Sequence, residues 1–172
     1  YFVGIDGISL WLVMLTTFIM PIAILSTWNA VEKNTKGFMA LALLLETGML
    51  GAFISLDLFL FYVFWELMLV PMYFMIGIWG GKNRIYAAVK FFIFTAVGSL
   101  LMLVALIYVY YFAVKAGVPF ENGFSIIQFY QMDIPGNLQT WLFAAFAFSF
   151  DIKVPMFPVH TWLPDAHTEA PT

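Results

Sequence analysis

Long apolar runs separated by short polar turns constrain this chain more than any other feature of its sequence. Each run is about 20 residues long, which is enough for a helix to cross the hydrocarbon core of a bilayer. Of all residues, 63% are hydrophobic and only 10% are charged. Because a soluble domain is about a quarter charged, the chain is predicted to be an integral membrane protein.

The runs predict an all-α membrane protein, a polytopic bundle of transmembrane helices in a single domain over residues 1–172. The spans lie at about 8–28, 38–55, 58–79, 86–112 and 138–156, with 158–172 as the second half of a broken helix. Pro155 and Pro158 each lack a backbone donor, so the fifth helix is expected to break there. Broken helices occur inside membranes where they line a cavity.

Basic residues in the turns predict the orientation. Lys33 and Lys36 follow span one, and Lys82 and Arg84 follow span three, so all four lie on one side; Lys115 alone lies on the other. By the positive-inside bias, the first two turns face the cytoplasm or the matrix. The segment before span one is then on the outer side, and span five runs inward.

Composition and motifs also exclude several classes of site. The chain has no cysteine, which excludes disulfides and thiolate metal sites. It contains no Walker loop, GxGxxG, HExxH or GxSxG pattern, so no nucleotide, flavin or metal site is predicted. The net charge of -3 gives no indication of nucleic-acid binding. We therefore expect no cofactor and no metal in this chain.

Glu66 is the deepest ionisable residue, in the middle of the sequence FYVFWELMLVPMYF. A charge at the bilayer centre costs about 2.5–3.5 kcal/mol on insertion scales, so it needs a partner or a use. One interpretation is a neutral acid that hydrogen-bonds a neighbouring helix. The other is a proton carrier, tuned by desolvation and by a nearby cation. Tyr62, Leu69 and Tyr73 share its helix face.

Lys153 lies deep in span five, immediately before Val154 and Pro155. At a helix break, a lysine can lie against exposed carbonyls and change its charge state, which suits a proton relay. A structural ion pair that holds the break together is the alternative. The two interpretations overlap, because a relay lysine also needs a counter-ion.

Two further charged residues lie in the spans. Lys90 is a turn or so inside span four, where it either extends toward the interface or forms a relay entrance. Glu46 is near the centre of span two and is either a proton carrier or a packing residue that hydrogen-bonds Thr47.

His160 and His167 lie seven and fourteen residues beyond Lys153. On an unbroken helix the three would share one stripe, and histidine changes charge near neutral pH, so both are candidate relay residues. Their spacing is a poor metal-binding pattern. Asp165 is interpreted as the N-cap of a helix that begins near Ala166.

Two motifs, WELMLVPMYFMIGIWGG and KVPMFPVHTWLPDAHTEAPT, resemble the antiporter-like membrane subunits of respiratory complex I, the NADH–quinone oxidoreductase. The sequences GIDGISLWLVMLTTFIMPIAILSTW and AAVKFFIFTAVGSLLMLVAL resemble the same family, so the likeness covers essentially the whole chain. The ending HTWLPDAHTEAPT favours the subunit M, or chain 4, branch. Asp151 departs from the family pattern, where a small apolar residue is expected before the Ile-Lys pair, and could alter the proton affinity of the lysine.

The resemblance implies one five-helix repeat, with its last helix broken, of a longer subunit of about fourteen helices. It implies that Glu66 and Lys153 exchange charge as a proton passes, and that Lys90 and His160 lie on the same polar axis. The subunit would be a non-redox proton translocase without a complete active site in this chain. NADH, FMN, iron–sulfur clusters and quinone would belong to partner subunits, and the other membrane-arm subunits, including antiporter-like ones, would be its partners.

The location implied is a bacterial inner membrane or an organelle inner membrane, with the lipid bilayer as surroundings. Three alternatives remain open at this stage. The first is a subunit of a multi-subunit sodium/proton antiporter, the second is the membrane arm of a membrane-bound hydrogenase, and the third is a purely structural membrane scaffold.

Overall fold

Four helical segments are long and apolar enough to cross a membrane in the computed structural model, which describes residues 1–170. They are α1 (Gly7–Ser26), α2 (Thr35–Ile54), the pair α3 and α4 (Leu58–Leu67 and Leu69–Trp79), and α5 (Arg84–Lys115). A 3₁₀ turn (Phe120–Asn122), α6 (Ile126–Phe129), α7 (Gly136–Lys153) and α8 (Trp162–Glu169) follow. The predicted all-α polytopic fold class is confirmed.

The last predicted span is divided, but at different residues from those expected. Helix α7 ends at Lys153 rather than near Met156, and α8 begins at Trp162 rather than near Pro158. A residue before proline avoids the helical conformation, so Val154 already departs from it. Pro155 and Pro158 then leave the chain in turns between the two helices. The last two residues of the predicted segment, 171 and 172, lie outside the described residues.

The third predicted span contains an interruption that the sequence analysis did not anticipate. Its two parts, α3 and α4, meet at Met68, which belongs to neither helix. Pro71 lacks the backbone donor that would bond the carbonyl of Leu67, four residues earlier. The helix therefore loosens on the turn that carries Glu66.

Helix α5 is the centre of the bundle and lies against α4, α7 and α8. The buried core shared by these helices includes Ile76, Phe91, Ile152 and Trp162. Gly98 permits the close approach of α5 and α7, because a Cβ atom there would lie 2.7 Å from Cδ1 of Ile152. The residue immediately before Lys153 is therefore packed directly against α5.

Backbone hydrogen bonds close the bundle at the end where α3 begins. The amide of Gly4 donates to the carbonyl of Ile54, and that of Leu58 donates to the carbonyl of Phe124. Asp57 caps α3 by accepting a hydrogen bond from the amide of Leu60 at 3.0 Å. These contacts fix the start of the helix that carries Glu66.

Candidate functional site

Lys153 is the last residue of α7, and its side chain crosses to α3. Its Nζ atom donates a hydrogen bond to the backbone carbonyl of Trp65 at 3.2 Å. The same atom lies 4.7 Å from the centroid of the Trp65 ring. Exposed carbonyls were expected to receive this lysine at the break of its own helix. The structure instead supplies one from the interrupted turn of α3, next to Glu66.

Glu66 is half-buried, and its Oε1 atom is buried without a hydrogen-bond partner among the described residues. Its carboxyl lies within interaction range of the Ser99 hydroxyl and of the Lys153 ammonium. Tyr62, one turn earlier on the same face of α3, also lies near Ser99. Helices α3, α5 and α7 thus bring Tyr62, Glu66, Ser99 and Lys153 into one polar cluster.

Glu66 and Lys153 are near each other but not in direct contact. Across residues 1–170 the single ion pair within 4.0 Å joins two other residues, Lys90 and Asp165. The ammonium of Lys153 instead interacts with a neutral carbonyl and with the face of an indole ring. An amine held this way keeps a favourable site for its charge and yet remains available to a carboxylate nearby.

Ser99 is a candidate residue that the sequence analysis missed. It is 3% exposed, and its hydroxyl donates to the carbonyl of Ala96 at 3.0 Å. A signal was present, because Thr95 and Ser99 are polar residues four positions apart in an otherwise apolar run. That signal is weak, since a serine in a membrane helix commonly bonds a carbonyl of its own helix.

The two histidines differ in their surroundings. His160 lies in the turns between α7 and α8, half-buried, with its ring 5.8 Å from that of Phe157. Its Nδ1 atom is buried and has no hydrogen-bond partner among the described residues. His167, in contrast, lies on the exposed side of α8. Because the helix is broken, Lys153, His160 and His167 do not share one helix face as their spacing suggested. The relay assignments of both histidines stay predictions.

Lys90 is bound to Asp165, whose Oδ2 atom accepts a hydrogen bond from Lys90 Nζ at 2.6 Å. The interpretation of Asp165 as an N-cap is wrong. Helix α8 begins three residues before it, at Trp162, and Thr161 occupies the cap position. The acid faces α5 instead.

Glu46 and Asp151 are both half-buried. The hydroxyl of Thr47 donates to the carbonyl of Leu43 at 2.8 Å rather than to Glu46, so the expected partnership does not form. Asp151 makes no ion pair with Lys153 within residues 1–170.

The cluster around Glu66 contains one acid, one amine and two hydroxyls, at the meeting point of two interrupted helices. Such a set can hold and pass protons, since each group can donate or accept in turn. It offers neither the ligands of a structural metal site nor a phosphate-binding loop within the described residues.

Two families of known proteins match this chain in succession. Residues 55–172 match the family described as "NADH:quinone oxidoreductase/Mrp antiporter, TM". Residues 1–52 match the family described as "NADH-ubiquinone oxidoreductase chain 4, amino terminus". Together the two matches cover nearly every residue.

Individual relatives agree with this assignment. NADH-quinone oxidoreductase subunit M of Rhodobacter capsulatus is 51% identical over 180 residues, covering 100% of this chain and 34% of the relative. F(420)H(2) dehydrogenase subunit M of Methanosarcina mazei is 43% identical, again over 100% of this chain and 35% of the relative. The chain thus spans about one third of the length of the curated relatives it matches.

A solved structure has the same fold. A chain of respiratory complex I from Thermus thermophilus superposes with a TM-score of 0.81 at 34% sequence identity, covering 98% of this chain and 34% of that one. The resemblance drawn from the two sequence motifs is confirmed. The chain therefore belongs to the NADH:quinone oxidoreductase/Mrp antiporter transmembrane family.

Proposed function

We propose that this chain forms part of a proton-translocating membrane subunit of a respiratory NADH:quinone oxidoreductase. The observation that carries the proposal is the position of Lys153, whose ammonium is bonded to the carbonyl next to Glu66 without being paired to that acid. The names of the relatives supply the class of complex, and the polar cluster supplies the chemistry.

Glu66 and Lys153 act as the switch. When the two approach to about 4 Å, their attraction is roughly 4 kcal/mol at an effective dielectric of about 20. That energy corresponds to about a thousandfold change in a proton-transfer equilibrium. When the Lys153 ammonium moves from the Trp65 carbonyl toward Glu66, the lysine therefore keeps its proton. When it moves back, the proton is released to the next carrier.

His160 is the next candidate carrier in this proposal, because its buried Nδ1 atom is available for a further hydrogen bond. His167 would take part only at the exposed end of α8. Quinone reduction in other subunits would drive the charge shift. NADH, FMN, iron–sulfur clusters and quinone would be bound by those partners, and the complex would lie in a bacterial or organelle inner membrane.

The sodium/proton antiporter alternative is not favoured, because the relatives described above are named as oxidoreductase subunits. The complex can be purified through this subunit and reconstituted in vesicles. We expect proton uptake that follows NADH oxidation and does not depend on sodium. Proton movement that requires sodium and proceeds without NADH would favour the antiporter.

The direct test of the relay is Glu66→Gln in the full-length subunit, within the assembled and reconstituted complex. We expect assembly to persist and the number of protons moved per electron to fall, because the amide cannot carry a proton. Glu32→Gln is the matched control, since Glu32 is exposed in the turn before α2. An unchanged proton-to-electron ratio in Glu66→Gln would contradict the proposed function.

A further inference from the structure

Polar contacts hold α8 against the start of α5 at two points. Near the middle of α8, Asp165 Oδ2 accepts a hydrogen bond from Lys90 Nζ at 2.6 Å. At its end, Glu169 Oε2 accepts from the backbone amide of Asn83 at 2.9 Å. The carbonyl of Glu169 also accepts from the amide of Gly81 at 2.9 Å. We call Lys90, Asp165, Glu169 and Asn83 the α8 clamp.

The opposite end of α8 is tied to the helix that carries Lys153. The indole Nε1 of Trp162 donates to the carbonyl of Ile152 at 2.8 Å. The Trp162 ring also packs on Phe91 of α5, with 5.2 Å between the ring centroids. Helix α8 is therefore linked directly to the residue immediately before Lys153.

The Lys90–Asp165 contact has the features of a positioning interaction rather than of a carrier. At 2.6 Å it is a short, charge-assisted hydrogen bond, which is about twice as strong as a neutral one. It requires an ammonium on one side and a carboxylate on the other, so both charges are committed while the contact stands. The side chains are 22% and 38% exposed, so neither is fully enclosed by the described residues.

We propose that Lys90 is a positioning residue for proton transfer: through Asp165, and with Glu169 at the far end, it holds α8 on α5 so that the break between α7 and α8 keeps Lys153 aimed at the α3 turn. Lys90 then contributes to translocation without carrying the proton. This inference rests on the proposed function, since it assigns a residue to the same relay.

The experiment separates a positioning lysine from a carrying one by removing the ionisable groups altogether. In the assembled complex, Lys90→Met combined with Asp165→Leu replaces the ion pair with an apolar contact of similar size. Such replacements often retain packing, whereas removing one partner leaves an uncompensated charge. We expect Lys90→Met alone to lower the proton-to-electron ratio at least twofold, and the double variant to recover more than half of the loss.

A charge exchange supplies the second arm. Lys90→Asp and Asp165→Lys each place like charges together, and we expect each to reduce translocation. The two combined restore an opposite-charge pair, and we expect recovery together with a return of the α5–α8 distance. That distance can be measured between spin labels on Ile85→Cys and Thr168→Cys, two exposed positions. Lys36→Asp, on the exposed start of α2, is the control.

The proposal is overturned if either double variant translocates no better than the worse of its single variants, or if Lys90→Met alone leaves the ratio unchanged. Recovery in the Met–Leu pair, which has no titratable group at either position, excludes a carrier at residue 90. These outcomes are independent of Glu66→Gln. If Glu66→Gln translocates normally, the proposed function is wrong. If Glu66→Gln is inactive but the Lys90/Asp165 double variants do not recover translocation, only the positioning role of Lys90 is wrong.

Discussion

Two lysines of this chain face acids in opposite ways. Lys90 is joined to Asp165 at 2.6 Å, and both side chains are partly exposed. Lys153 lies on a backbone carbonyl and an indole face, with its acid nearby but outside direct pairing distance. A tight pair fixes both of its members, whereas a relay must form and break its pair within one cycle. A lysine and an acid can therefore form either a fixed structural pair or an exchangeable pair. The distance between the two charges determines which of these they form.

The largest effect is expected from Lys153→Met, which removes the mobile charge while keeping most of the side-chain volume. Translocation through this subunit should be lost, because Glu66 would have no amine to exchange with. The measurement is the proton-to-electron ratio of the reconstituted complex. Lys36→Met, an exposed lysine on α2, is the control and should leave the ratio unchanged. A normal proton-to-electron ratio in Lys153→Met would show that Lys153 does not exchange charge with Glu66, so it would not differ from Lys90 in function.

A smaller effect is expected from Ser99→Ala, which deletes the hydroxyl beside Glu66. In the structure this hydroxyl bonds the carbonyl of Ala96. If it turns to Glu66 during transfer, that hydrogen bond would contribute about 0.5–1.5 kcal/mol, so the translocation rate should fall about two- to tenfold. The rate can be followed with a pH-sensitive dye in the same vesicles. Ser26→Ala, whose hydroxyl bonds the carbonyl of Ala23 in α1, is the control. Equal rates in both variants would exclude Ser99 from the site.

The smallest effect is expected from Trp65→Leu, which removes the ring below the Lys153 ammonium but keeps the backbone carbonyl. Because Trp65 and Lys153 are both partly exposed, their cation–π contact is expected to contribute about 0.5–1 kcal/mol, so the rate should change by about two- to fivefold. Trp141→Leu, on the outer face of α7, is the control, since Trp141 is 77% exposed. A complete loss of translocation would mean that the ring itself, rather than the carbonyl, holds the lysine.

The apolar runs predicted the positions of the helices because lipid leaves the backbone few alternatives to a helix. Glu66 and Lys153 could be found for the same reason, since an unpaired charge in an apolar span is costly. The interruption at Met68 was not predicted. Pro71 was visible, but a proline within a span can kink a helix or only loosen it, as Pro21 shows inside the unbroken α1.

The pairing of Lys90 with Asp165 could not be read from the sequence. The two residues are 75 positions apart, and nothing local to Asp165 distinguishes a helix cap from a partner in another helix. The contact depends on how α8 returns to α5 after the break, which is a property of the assembled bundle. Ser99 escaped notice for a similar reason, because its relevance comes from α3 and not from its own helix.

The close packing of Gly98 on Ile152 limits how the proposed switch between Glu66 and Lys153 can work. With α7 seated on α5 at the residue before Lys153, the helix as a whole has little room to slide. The excursion of the ammonium is then set by rotation about the bonds of one flexible four-carbon side chain. The ammonium can therefore move no farther than the reach of one lysine side chain, while the surrounding helices stay in place.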